Sequence, residues 1–366
     1  MFSRISKQTT NSLTAFDRLS AGTMMALLFS FALIALTLNA CSETDANSAT
    51  KLNLLFDDFW EAQMKRYPTW ATNLGDKRYD SLLTDLSPEA REKDKVATRN
   101  FLNRLKAIDR YKLNESDRVS ADMFELKLKE AVESEKFKDH TMPVSQQGGP
   151  HIDIPNLVSL MNFVSAQDYE NYIARMRAFP LYVDQTIANM REGVELGFVS
   201  AKINIEPVVE QIESFIVDDP TTSVFYQPIE KNEAELSDDV LSDFAERFKE
   251  TITNEIVPTY RKFGKFIRDE YLPACRDEFG VWSLPDGEER YQFLIQHHTT
   301  LPLTAREITE TGLRNLELIH AEMDKIITQV GFEGTRAEFL EDLHTNPRHY
   351  YTDKDSLLDG YRAILA

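Results

Sequence analysis

The sequence predicts an all-α fold, and three observations carry that prediction. From residue 51 onward, apolar residues recur at the three- and four-residue spacing of amphipathic helices. Helix-start signals stand at the heads of these runs: Ser-Pro, Asn, and Thr-x-x-Glu. No alternating apolar run is long enough for a strand. The chain has 366 residues, 42% of them hydrophobic and 22 of them phenylalanine, which suffices for a sizeable core. No internal repeat is visible.

The first 40 residues stand apart. Arg4, Lys7 and Arg18 form a basic region ahead of an uncharged run from Met24 to Leu38. That run has the length of a signal-peptide core, shorter than the roughly 20 apolar residues of a membrane span. A signal-anchor helix over Ala21 to Cys41 is the alternative. The run ends in "LNAC", which resembles a bacterial lipobox and implies cleavage before Cys41 and lipidation of that cysteine. Residues 1–40 are thus expected to be a lipoprotein signal peptide, and residues 41–50 a polar tether. Ser42, where sorting to the inner membrane would call for aspartate, points to the outer membrane, facing the periplasm. Lipid, not a helix, would then hold the chain at the membrane.

Residues 51–366 read as one helical domain. Leu55, Phe59, Trp60 and Met64 share a stripe that stops at Pro68. Ser87 and Pro88 open a long segment through Val96, Phe101, Leu105 and Ile108. Asn114 opens the next helix, with Met123, Phe124 and Leu128. Lys136 to Leu157 lacks a helical period and reads as a long irregular loop. Ser165-x-x-Asp168 caps a helix ending near Gly193 and Gly197. Pro258 is expected to kink or divide the segment after Leu236. Thr304-x-x-Glu307 and Thr335-x-x-Glu338 are capping boxes, with Gly331 closing the helix between them. At the end, Leu357, Leu358, Tyr361, Ile364 and Leu365 form a stripe that runs out at Ala366 without stop signals. This predicts a domain incomplete at its C-terminal end.

The formal charge is −19, and −21 once residues 1–40 are removed. So acidic a chain lacks the Lys and Arg needed to neutralise phosphates, which argues against nucleic acid as a partner. Of two cysteines one would carry lipid, and Cys275 reads as a small packed residue rather than a nucleophile. None of the seven histidines is followed by Glu, and no pair has i, i+4 spacing. His320 and Glu322 point to opposite sides of a helix. The sequence therefore predicts no self-contained metal site, and no nucleophile elbow or phosphate loop occurs. His297 and His298 read first as helix-end residues and second as substrate contacts.

Four stretches carry a family resemblance: "FWEAQMKRYPTWATNLGDKRYDSLLTDLSPEA", "QQGGPHIDIPN", "YQFLIQHHTTLPLTAREITETGLRNLELIHAEM" and "GFEGTRAEFLEDLHTNP". They resemble the bacterial domain of unknown function 885 family across residues 51–366. That family is similar to helical zinc peptidases and includes exported lipoproteins. The resemblance implies the N-terminal part of such a helical array. It also implies zinc in a full-length member, held by a His-Glu-x-x-Pro-Gly-His-His segment that this chain does not contain. No catalytic or metal-binding residue, and no cofactor, is therefore expected in the chain itself.

What the resemblance does carry over is a pocket wall: Gln147, Gly148, Gly149 and His151 on one side, and His297, His298 and Thr299 on the other. A tight turn with buried contacts is the competing reading of the glycine-rich stretch. The expected function is the N-terminal part of an exported zinc-metallopeptidase-like lipoprotein, inactive alone. The alternatives are a non-catalytic, membrane-anchored lipoprotein that binds peptides or a partner, and an enzyme using the retained histidines.

Overall fold

The computed structural model describes residues 47–366. The expected signal peptide, Cys41 and the first part of the expected tether lie outside these residues. Residues 47–50, expected in the tether, are instead helical, and Ser48 is buried. The sequence reads as one helical domain, yet the described chain divides after Asp286 into two compact units.

The first unit holds eleven described helices. They are α1 (47–66), α2 (Pro68–Asn73), α3 (Pro88–Lys106), α4 (Glu115–Ser134), α5 (Pro150–Leu160), α6 (Ala166–Leu196), α7 (Glu206–Glu213), α8 (Gln227–Lys231), α9 (Asp238–Thr251), α10 (Val257–Phe266) and α11 (Leu272–Ala274). No strand occurs among the described residues; Ser145–Gly148 and Ala201–Arg276 form isolated bridges only. The fold is all-α, as the helical periodicity predicts.

Two apolar cores organise this unit. The smaller joins α1, α3 and α4 through Leu52, Leu55, Leu105 and Leu128. Within it, Phe59 meets Phe101 and Phe124 edge-on, with centroids 5.2 and 4.9 Å apart, the arrangement that ring quadrupoles favour. Trp60, Val96 and Met123, expected on the buried stripes, are exposed, each one position off the packed face. The larger core is built on α6, α9 and α10, where Tyr172, Phe179, Phe248, Tyr260 and Phe263 are fully buried.

A buried ion pair ties the α2 region to α6. Arg175 Nε donates to the Leu82 carbonyl at 3.0 Å, and Nη2 donates to Thr72 Oγ1 at 2.6 Å and to the Tyr79 carbonyl at 3.2 Å. Asp80 lies 3.7 Å from the guanidinium, and both side chains are almost wholly buried. Burial lowers the Arg175 pKa to about 10, so the group keeps its charge at neutral pH.

Local signals act as the residues dictate. Ser87 Oγ accepts from Ala90 N, and Asn114 Oδ1 from Asp117 N, so both helices start where these caps stand. The Ser165 box is half formed: Asp168 accepts from Ser165 Oγ and from Val164 N, but the Ser165 side chain caps no backbone amide. Gly193 does not end α6. A Cβ there would lie 2.5 Å from the Phe198 carbonyl oxygen, so its role is close approach. Gly197, at φ +78°, supplies the left-handed cap.

Pro258 does not divide the segment, which stays helical through it. The helix widens into a π segment, Ile252–Ile256, just before the proline, and does so again over Ile267–Tyr271 before Pro273. Proline removes one amide donor and crowds the preceding turn, and a wider turn accommodates both without a break.

The second unit contains α12 (Gly287–Thr299), α13 (Ala305–Gln329), α14 (Arg336–Thr345) and α15 (Lys354–Leu365). Both capping boxes are complete, with threonine and glutamate each satisfying the other's orphan amide. Gly331 sits at φ +72° just beyond α13. No described helix is long and apolar enough to cross a membrane.

Candidate functional site

The expected long loop is shorter than its composition suggests, because Pro150 opens α5 as its first residue. Ahead of it, Ser145 N donates to the Gly148 carbonyl at 3.0 Å and closes a tight turn. Gln146 N donates to the Asn204 carbonyl at 3.1 Å, which ties the turn to the segment before α7. Gly149 lies at φ +121°, a backbone region essentially reserved for glycine. A Cβ there would stand 3.2 Å from Val144 Cγ2 and 3.3 Å from the Pro143 carbonyl oxygen. Its amide donates to Asp153 Oδ2 at 3.2 Å, one turn into α5.

His151 is not exposed on a pocket wall. Its side chain is fully buried beside Phe263, and Nε2 stands 3.2 Å from Gln211 Oε1. Gln211 spends its amide nitrogen on the Gln146 carbonyl, 3.1 Å away, so Oε1 is the acceptor facing the ring. The ring therefore donates from Nε2 to Gln211 Oε1. Burial holds the His151 pKa below its ordinary value, against opposing pulls from Gln211 and the Ser145 backbone. Asp153 is shifted the other way: burial raises its carboxyl, while the Gly149 amide opposes. Both shifts run toward the neutral form, and Tyr182, near Asp153, is pushed up to about 12 by burial.

The outer face of the turn presents Gln146 and Gln147, both exposed, with Gly148 partly so. The glycine-rich stretch thus has an inner, buried half (Gly149, His151) and an outer half (Gln147, Gly148). Sequence reasoning missed Asp153 and Gln211. Asp153 falls two residues after His151, whereas Gln211 lies 60 residues away and leaves no local signal.

His297, His298 and Thr299 fall in the second unit, in the last turn of α12. The His297 ring stacks on Phe293 with centroids 6.0 Å apart, and His298 meets His297 edge-on at 5.0 Å. Thr299 Oγ1 donates to the Ile295 carbonyl at 2.7 Å, and Thr300 takes φ +58° as the chain leaves the helix. The hydroxyl and the turn are thus engaged in ending α12, which favours the helix-end reading of this stretch.

Other chemistry is sparse. His140 Nε2 lies 3.1 Å from Glu192 Oε2, with Arg91 and Lys138 on the same carboxylate at 3.5 and 3.7 Å. Burial lowers the His140 pKa despite that carboxylate. Cys275 is half-buried, and burial pushes its thiol up to about 11, too high for a thiolate nucleophile at neutral pH. An apolar groove of about 670 Å³ runs along Ala62, Val96, Ala97 and Phe101, and a polar one of about 380 Å³ lies by Asp184, Arg191 and Lys262. Neither is lined by a candidate residue. Among the described residues, no three of His, Cys, Asp or Glu come together closely enough to hold a metal ion. The described residues therefore do not fit a zinc ion.

Fold and site together define an all-helical scaffold with a buried histidine, paired to Gln211, beneath an exposed turn. Residues 68–366 match the family described as bacterial protein of unknown function (DUF885), and the chain belongs to that family. No curated protein matches the sequence. Among solved structures, the chain is similar to the "putative lipoprotein" from Colwellia psychrerythraea, at 20% identity and a TM-score of 0.77. That similarity covers 87% of this chain and 58% of the Colwellia chain, so the present chain spans less than two-thirds of its neighbour.

Proposed function

We propose that this chain is the N-terminal helical portion of an exported, lipid-anchored protein of the zinc-metallopeptidase type, and that it is inert as a peptidase by itself. The observation that carries this reading is the DUF885 match over residues 68–366 together with a shared fold that spans only 58% of the Colwellia structure. Zinc would supply a Lewis acid and an activated water in the complete protein. The described residues offer no ligand set for it. This chain's part would be to shape and contact substrate. The turn at Gln146–Gly148 is held by Asn204 and Gln211, and its two exposed glutamine amides can pair with an extended peptide backbone. Anchoring would come from lipid on Cys41 at the outer membrane, facing the periplasm.

The test is made on the purified chain and on cells producing it. Zinc measured after dialysis should stay well below one equivalent, and a quenched-peptide library should show no chelator-sensitive cleavage. Chelator-sensitive turnover would sink the reading. Labelled palmitate should enter the wild-type chain in the outer-membrane fraction and be absent from Cys41→Ala; equal labelling of both would refute the anchor. A second reading, a non-catalytic lipoprotein that binds peptides or a partner, is favoured by one observation, the exposed apolar side chains Leu316, Ile319 and Ile326 on α13.

A further inference from the structure

Three polar atoms in the interior of the first unit lack what a buried donor or acceptor normally has. Among the described residues, Arg175 Nη1 and the hydroxyls of Tyr172 and Tyr260 are buried with no hydrogen-bond partner. All three side chains are at most 1% exposed. Their isolation is selective. Arg175 directs Nε to the Leu82 carbonyl and Nη2 to Thr72 and to the Pro68 and Tyr79 carbonyls, so only the Nη1 edge of the guanidinium is idle. Tyr169, three residues before Tyr172 and equally buried, donates to the Pro228 carbonyl at 3.0 Å. The three idle groups also lie together. Tyr172 and Arg175, three apart on α6, are neighbours on one face, and the Tyr172 hydroxyl feels the guanidinium charge. Tyr260 crosses from α10 with its ring 4.9 Å from Phe179, one turn beyond Arg175, and it feels Tyr172 in turn.

We propose that Arg175 Nη1 and the hydroxyls of Tyr172 and Tyr260 enclose an internal binding site for water, and that the bound water joins α10 to the junction Arg175 makes between α6 and the α2 region. Charge decides the occupant. Asp80, 3.7 Å from the guanidinium, already offsets the charge of Arg175. Burial holds both phenols neutral by pushing their pKa values well above the ordinary tyrosine value. A small anion at Nη1 would therefore leave uncompensated negative charge in an apolar interior, which is costly. Water brings no charge. It can accept from Nη1 and from one phenol while donating to the other, and buried waters typically make about three such bonds to groups otherwise unsatisfied. The rings packed against the two tyrosines include Phe163, Phe248, Phe179 and Phe215, none of which offers a hydrogen-bonding group in place of the water.

The test compares the full chain with Tyr172→Phe, Tyr260→Phe and the double variant in denaturant unfolding. Each change keeps the ring and removes only the hydroxyl, so the packing is retained. If water bridges the groups, each single variant should raise the unfolding equilibrium constant about fivefold or more, the effect of one lost buried hydrogen bond. The double variant should lose less than the product of the two, because both bonds run to the same water. Idle hydroxyls predict the reverse, since removing a buried polar group that bonds to nothing leaves stability unchanged or raised. A crystal structure of the full chain locates the ligand directly, as density within about 3 Å of all three atoms. Variants at least as stable as the wild type overturn the proposal, and so does density that shows the three groups bonded to one another. A bromide soak with an anomalous peak at the site overturns it too, by making an anion the occupant.

Discussion

Two adjacent glycines carry different burdens. Gly149 needs a positive φ and already lies against Val144 and Pro143, whereas Gly148 has open space where a Cβ would go. Gly149→Ala should therefore destabilise the chain by about 1–3 kcal/mol, and Gly148→Ala by no more than about 0.5 kcal/mol. Denaturant unfolding of the two variants checks this, and equal losses would refute the assignment of strain to Gly149. His151 makes a second residue-level claim, on pH. Its pKa is lowered from 6.5 in the folded state, so the unfolded chain takes up the proton first. Stability is then complete above about pH 6.5 and falls as the pH drops through that value. His140 acts with the same sign, and Asp153, whose carboxyl is raised, acts with the opposite sign nearer the carboxylate range. His151→Gln should flatten, without abolishing, the fall in unfolding free energy between about pH 7.5 and 5.5. An unchanged slope would mean that the ring's burial is not maintained in solution.

At the scale of elements, what could be read in advance was whatever is written locally. Caps at Ser87, Asn114, Thr304 and Thr335 fix helix starts because each satisfies amides within three residues of itself. What could not be read depends on distant partners. Trp60, Val96 and Met123 fit their stripes by spacing, but which edge of a stripe is buried is decided by the helix that packs there. The loop before α5 reads as irregular from its prolines and glycines, although Pro150 is a helix-starting residue once Gly149 turns the chain into it. Pro258 invites a break, yet helix continues through a π segment that carries Ile252 and Ile256, both fully buried. The candidate site divides along the same line. The turn at Gln147 and Gly148 was legible from its glycines, while the burial of His151 was not, because Gln211 and Phe263 come from elsewhere in the chain.

Across the whole molecule, apolar burial is distributed unevenly, and that has a thermodynamic consequence. The first unit contains two cores with dozens of buried apolar side chains, whereas within Gly287–Ala366 only Ile295 and Ile327 fall in that class. Hydrophobic burial is the dominant favourable term in folding, so the second unit's helices rest mainly on caps, short-range ion pairs and propensity. Regions with few buried contacts open well below the global unfolding free energy. Thermal unfolding of the purified chain, followed by far-ultraviolet circular dichroism, should therefore proceed in two steps, with residues 287–366 losing helix first. Hydrogen exchange would assign the steps, with α13 and α15 exchanging early and α6 and α10 late. A single cooperative transition, with α13 as protected as α6, would show that the two units unfold together and would refute the two-step expectation.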